Sequence, residues 1–164
     1  MATPLKADAS TGSAPAVIIQ TGAFDIGAVI REVCAHNPKI GAVASFIGIM
    51  RDTNDGDAVA RMTLEHYPGM TERAIGEIVD QAKARWKLID ARVIHRVGEL
   101  EPTDPIVLVV TASGHRGGAF AACEFIMDYL KTRAPFWKKE TTGQGERWVE
   151  SRESDHDAAD RWKR

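Results

Sequence analysis

The chain has 164 residues, 44% of them hydrophobic and 27% charged, with a formal net charge of −2 and a pI of about 6.2. That is the length and balance of one globular domain with a substantial core, and no global charge steers it to nucleic acid or to an anionic membrane. No apolar run approaches the roughly 20 residues that span a bilayer. Residues 1–14 are small, polar and Pro-containing, without the apolar stretch of a secretory signal. They are read as a disordered tail before a single domain over 15–164, with the cytoplasm as the default location.

In chain order, "AVIIQT" (15–20) predicts a short strand, and "DIGAVIREVCAH" (25–36) a helix with Ile26, Val29, Ile30 and Val33 on one face. "GAVASFIGIM" (41–50) predicts a strand, "RDTNDGD" (51–57) a polar loop, and "AVARMTLEHY" (58–67) a further strand. Ile75, Ile78, Val79, Ala82 and Trp86 follow helical spacing and define the clearest helix. "ARVIHRV" (91–97) reads as a strand, "GELEPTDP" (98–105) as a loop, and the β-branched run "IVLVVTA" (106–112) as a strand buried on both faces. A glycine-rich turn leads into a helix over 119–133. Pro135 ends it, because the residue before a proline is pushed out of the α region. "FWKKE" (136–140) and "RWVES" (147–151) predict strands around a turn, and the polar tail 155–164 has a helical option. Interleaved helices and successive strands indicate an α+β fold with a mixed sheet.

Cys34 and Cys123 lack metal or redox spacing and sit among apolar neighbours, so both read as reduced core thiols. "DTNDGD" departs from a calcium loop at its glycine and at its twelfth position, and the five histidines show no zinc spacing. No metal and no cofactor is expected. In "TASGHRGGAF" (111–120), His115 and Arg116 stand where a helix begins, and free N–H groups with the helix dipole favour an anion. A surface arginine and a turn-capping histidine explain the same residues equally well. Arg51 reads on position alone as a loop arginine.

"KTRAPFWKKE" (131–140) is the densest basic stretch. Strand alternation puts Phe136, Lys138 and Glu140 on one face, and Trp137 and Lys139 on the other. Apolar surface and neighbouring cations push a lysine toward its neutral form, which suits proton transfer. A snorkelling edge lysine at 138, and a surface partner of Asp128 at 131, remain open by this local reading.

The blocks "FIGIMR" (46–51), "LEHYPGM" (64–70), "VIHRVGEL" (93–100), "HRGGAF" (115–120), "FIMDYLKTRAPFWKKE" (125–140) and "RWVESRESD" (147–155), in this order, resemble the large, catalytic subunit of molybdopterin synthase. The resemblance implies an α/β hammerhead fold and a sulfurtransferase. It also implies a homodimer of large subunits, each binding a small ubiquitin-like sulfur-carrier subunit, a heterotetramer in all. The carrier's C-terminal thiocarboxylate would deliver sulfur to cyclic pyranopterin monophosphate (precursor Z), and two rounds would form the dithiolene of molybdopterin. The family's catalytic lysines fall on Lys131 and Lys138. Its substrate contacts fall on Ile49, Met50, Arg51, His115, Arg116, Lys138, Lys139 and Glu140, besides Lys131. Phe46 and Met127 match positions lining the channel for the carrier tail. Gly117 and Gly118 stand where relatives often carry serine or another non-glycine residue. A non-catalytic scaffold of the same fold, and a phosphate-binding enzyme built on "GHRGG", are the competing readings.

Overall fold

The structure is a computed structural model and describes residues 14–35 and 37–164. The tail expected over 1–14 lies outside these but for its last residue, as does His36. The chain order is β1 (Val17–Gln20), α1 (Ile26–Cys34), β2 (Ala42–Ile49), β3 (Thr53–Asn54), β4 (Asp57–His66), α2 (Met70–Trp86), β5 (Asp90–Arg96), β6 (Gly98–Leu100), β7 (Pro105–Ser113), α3 (Arg116–Arg133), β8 (Phe136–Thr142), β9 (Gly145–Val149) and α4 (Glu153–Asp160), closed by a 3-10 turn at Arg161–Lys163. Among the described residues no helix is long and apolar enough to cross a membrane.

Two sheets form the frame. The first has the order β1-β5-β7-β2, with β1 parallel to β5 and the other pairs antiparallel. The second runs β3-β4-β8-β9, with β6 also paired to β4, and all its pairs are antiparallel. This is the α+β, mixed-sheet architecture expected from the sequence. Strand β7 is covered on both faces, as its apolar run requires. Val107 and Val109 pack under α2 and α3, while Leu108, Val110 and Ala112 face α1. Helix α2 buries Ile75, Ile78, Val79 and Ala82 in the first of these layers. A smaller cluster of Met50, Val59, Met62, Leu64 and Leu100 fills the space beside the second sheet.

Four sequence expectations change. The loop 51–57 contains a hairpin: Asp55 and Gly56 both take positive φ (51° and 83°), the demand of a tight two-residue turn that Asp-Gly meets. The loop 98–105 contains β6, which pairs with β4 through Met62–Leu64. Helix α3 begins at Arg116, three residues earlier than expected, so Gly117 and Gly118 are helical. A Cβ on Gly118 would sit 3.0 Å from Ser113 Oγ and 3.5 Å from the Trp86 carbonyl, so close packing there favours glycine. Finally, Cys34 is exposed, because it lies one residue past the buried face that ends at Val33. Cys123 is buried, and burial pushes its thiol up to about 11, an inert thiol.

Candidate active site

A cavity of about 520 Å³ opens between the end of β2, the face of β4 and β8, the C-terminal turns of α3 and the segment 149–155. That volume suits a small-molecule ligand. Phe46, Ile49, Met50, Arg51, Met127, Lys131, Lys138 and Glu140 all line it. A register shift between Gly48 and Ile49 in the β2–β7 pairing re-aims the end of β2, leaving Ile49 exposed while Met50 is buried.

The two lysines reach the cavity from different elements across one corner. Ala134 ends α3 in extended conformation, φ −80° and ψ 127°, as Pro135 demands. Lys131 therefore comes from the last turn of a helix and Lys138 from the strand that follows. The corner is clamped by Thr71, which is fully buried. Its hydroxyl accepts from the Tyr67 N–H at 2.9 Å and donates to the Pro135 carbonyl at 3.0 Å. This ties the turn of "HYPGM" to the turn between the lysines. Asp128 is not a partner of Lys131. It accepts from Arg161 at 2.8 Å and from the Trp162 indole at 2.6 Å, and among the described residues Lys131 has no carboxylate within 4.0 Å.

On β8 the alternation holds. Phe136, Lys138 and Glu140 face the cavity, and Trp137 is exposed on the other side. Glu140 is 3% exposed yet satisfied. Asn54 Nδ2 donates to its Oε1 at 2.8 Å, Arg147 Nε and Nη2 donate to its Oε2 at 3.3 and 3.2 Å, and Lys138 Nζ stands 3.7 Å from Oε1. Burial lowers the pKa of Lys138 below the ordinary lysine value; Lys131 and Arg152 lower it further, and Glu140 opposes them.

His95 also lines the cavity, without having been singled out by sequence reasoning. Its ring stacks on Phe136, with centroids 4.0 Å apart and 19° between planes. Nδ1 lies 2.7 Å from the Arg96 carbonyl, which can only accept, so Nδ1 carries the proton and Nε2 is left with a lone pair. Burial lowers the pKa of His95 to about 4, against the Arg96 hydrogen bond and with help from Lys131 and His66.

Three expected contacts lie elsewhere. Lys139 is on the opposite sheet face, 3.4 Å from Glu146 and over the Trp148 ring at 5.7 Å. His115 and Arg116 are exposed at the start of α3 and do not line the cavity. His115 occupies the N-cap position, but its side chain makes no capping hydrogen bond. At 1.5 Å per residue, Arg116 and Lys131 are separated by roughly 22 Å along the helix axis.

The described geometry has counterparts. The family model described as "MoaE protein" matches residues 19–133. The chain belongs to the MoaE family. A molybdopterin synthase catalytic subunit from Ralstonia nicotianae is 64% identical over 148 residues, covering 90% of this chain and 84% of that one. The solved MoaE structure from Burkholderia ambifaria superposes with a TM-score of 0.78 at 55% identity, over 90% of this chain and 97% of its own. The structure of molybdopterin synthase from Staphylococcus aureus gives 0.75 at 30% identity, over 80% and 95%. The MoaE match ends at Arg133, so β8 and β9 with the Lys138–Glu140 site follow the segment it covers.

Proposed function

We propose that the protein is the catalytic subunit of a molybdopterin synthase, a sulfurtransferase of molybdenum-cofactor biosynthesis acting in the cytoplasm. It moves sulfur from the C-terminal thiocarboxylate of a small ubiquitin-like carrier subunit to precursor Z. The observation that carries the assignment of residues is the convergence of Lys131, Lys138 and Arg51 on one cavity in a chain of this family.

The substrate brings a cyclic phosphate and the carrier tail brings a thiocarboxylate, two anions for one basic cavity. Arg51 binds the phosphate as a planar donor fork. Lys131, held by α3 and free of a competing carboxylate among the described residues, orients the thiocarboxylate and stabilises charge developing on its carbonyl. Lys138, partly buried and only loosely paired, moves the proton as the cyclic phosphate opens and sulfur adds. Phe46 and Met127 flank the entry for the carrier's C-terminal tail. The nucleophile is the carrier's sulfur, so Cys34 and Cys123 have no part in the chemistry.

His115 and Arg116 sit too far from Lys131 in their own chain to share its substrate. In this reading they serve the cavity of a second copy, within a homodimer that with two carriers makes a heterotetramer. The test mixes the purified protein with thiocarboxylated carrier and precursor Z and assays molybdopterin. Wild type should make product above a carrier-only control. Lys131→Ala and Lys138→Ala should fold and bind carrier, yet lose turnover by about 100-fold or more. Absence of product with wild type would overturn the function, and near-normal turnover by either variant would overturn its assigned role.

A further inference from the structure

The hairpin Thr53–Asp57 has no part in the chemistry just described, although its Asn54 is a buried polar side chain, 7% exposed. The carboxamide has one donor end and one acceptor end, and each meets a charged group of the cavity. Nδ2 donates to Glu140 Oε1 at 2.8 Å, and Oδ1 accepts from Arg152 Nη2 at 2.7 Å. Arg152 is also held by Asp55 at 3.1 Å. The second Glu140 oxygen belongs to Arg147, whose Nη1 is fixed by Asp57 at 2.7 Å and whose Nη2 donates to the Asn54 carbonyl at 3.3 Å. The acidic hairpin thus aims one arginine, Arg147, and one amide at the carboxylate nearest to Lys138, and holds a second arginine, Arg152, on the other end of that amide.

We propose that Asn54 is a positioning residue for the sulfur-transfer reaction: its carboxamide occupies the Glu140 oxygen nearest Lys138 and holds the Arg152 guanidinium beside the cavity, so that Lys138 is left a loosely paired amine instead of one half of a tight ion pair. This rests on the proton-transfer role of Lys138 given above.

The distances carry the argument. Lys138 Nζ is 3.7 Å from Glu140 Oε1, outside hydrogen-bonding range, while Asn54 is well within it on the same oxygen. An unshared lysine–carboxylate pair in such a partly buried place would close to about 2.8 Å and keep the lysine protonated. The groups facing Lys138 come from every element around it. Glu140 is on its own strand, Lys131 on α3, Arg152 before α4, and Arg147 on β9 with Asp57 of β4 behind it. Arg51, His95, Glu150 and Asp155 line the same cavity. Of the nearest, Lys131 and Arg152 favour the neutral amine and Glu140 the ammonium, so both bonds of Asn54 act in one direction. A leucine fills the same space without charge but can make neither bond, and an alanine likewise makes neither.

The test uses the full chain with its carrier. Lys138 is titrated by pH-dependent acylation of lysine amines read residue by residue by mass spectrometry, beside the pH profile of turnover. In Asn54→Ala and in Asn54→Leu, Lys138 should titrate higher by about one pH unit, and the corresponding limb of kcat should move with it. Asn54→Leu keeps the side-chain size, adds no charge and removes both bonds, and it decides the matter if Asn54→Ala unfolds the hairpin. A merely structural role would lower the amount of active protein and leave the titration where it was. An unmoved Lys138 titration in folded variant overturns the proposal. If instead Lys138 is not the proton-transfer group, Lys138→Ala retains turnover while the titration in the Asn54 variants still shifts, so the two failures are distinct.

Discussion

Single side chains set the chemistry of this cavity by what they leave unpaired, and His95 shows the principle. Its pKa in the folded protein is about 4, against 6.5 for an ordinary histidine. The unfolded chain therefore binds more protons than the folded one between these values. The neutral ring contributes stability that is fully present above about pH 6.5 and is lost as the pH falls toward 4. Each pH unit in that window costs up to roughly 1.4 kcal/mol, reduced because the ring is partly solvated by the cavity. His95→Gln keeps a donor and does not titrate. Urea unfolding at pH 7 and pH 5 should show wild type losing more stability than the variant on acidification. Equal losses would mean that the imidazole is not held neutral. The sequence offered no sign of this, since a lone histidine on an alternating strand says nothing of the ring, Phe136, that will stack on it from β8.

Elements position these side chains, and the corner between α3 and β8 is the critical joint. Pro135 ends the helix, but the direction of the strand after it depends on Thr71, whose hydroxyl bonds both turns at once. Thr71→Val preserves shape and removes both bonds, leaving the Pro135 carbonyl and the Tyr67 N–H unsatisfied in a site with no exposure. We expect a loss of about 1–3 kcal/mol in denaturant unfolding, with turnover in the reconstituted reaction falling in the variant that remains folded. Unchanged stability would show that the clamp is dispensable. The sequence was legible here in part. The buried run of β7, the apolar face of α2 and the proline stop of α3 each follow from local pattern. Strands β3 and β6 do not, because two or three residues carry no period, and both exist through pairing with β4. The candidate site divides the same way. The β8 alternation put Lys138 and Glu140 on one face, and the family resemblance marked Lys131 and Arg51. Asn54, Arg147 and Arg152 escaped because their partnership joins a hairpin to a segment 86 to 98 residues away.

At the scale of the whole molecule, the long helix α3 carries proposed site residues at both ends, Arg116 at its start and Lys131 near its finish, roughly 22 Å apart along its axis. A rigid helix cannot bring its own ends together, so one chain cannot place both on a substrate that fits its cavity. Two copies related by a two-fold axis can, if the start of one α3 lies against the finish of the other. Mixing tests this without any structure of the assembly. Arg116→Ala and Lys131→Ala homodimers should each be nearly inactive with carrier and precursor Z. When the two variants are unfolded together and refolded, half of the dimers are mixed, and each mixed dimer has one cavity with both its own Lys131 and its partner's Arg116. Activity should return to about a quarter of wild type. If both residues served the cavity of their own chain, every cavity in every dimer would lack one of them, and the mixture would stay as inactive as its parents.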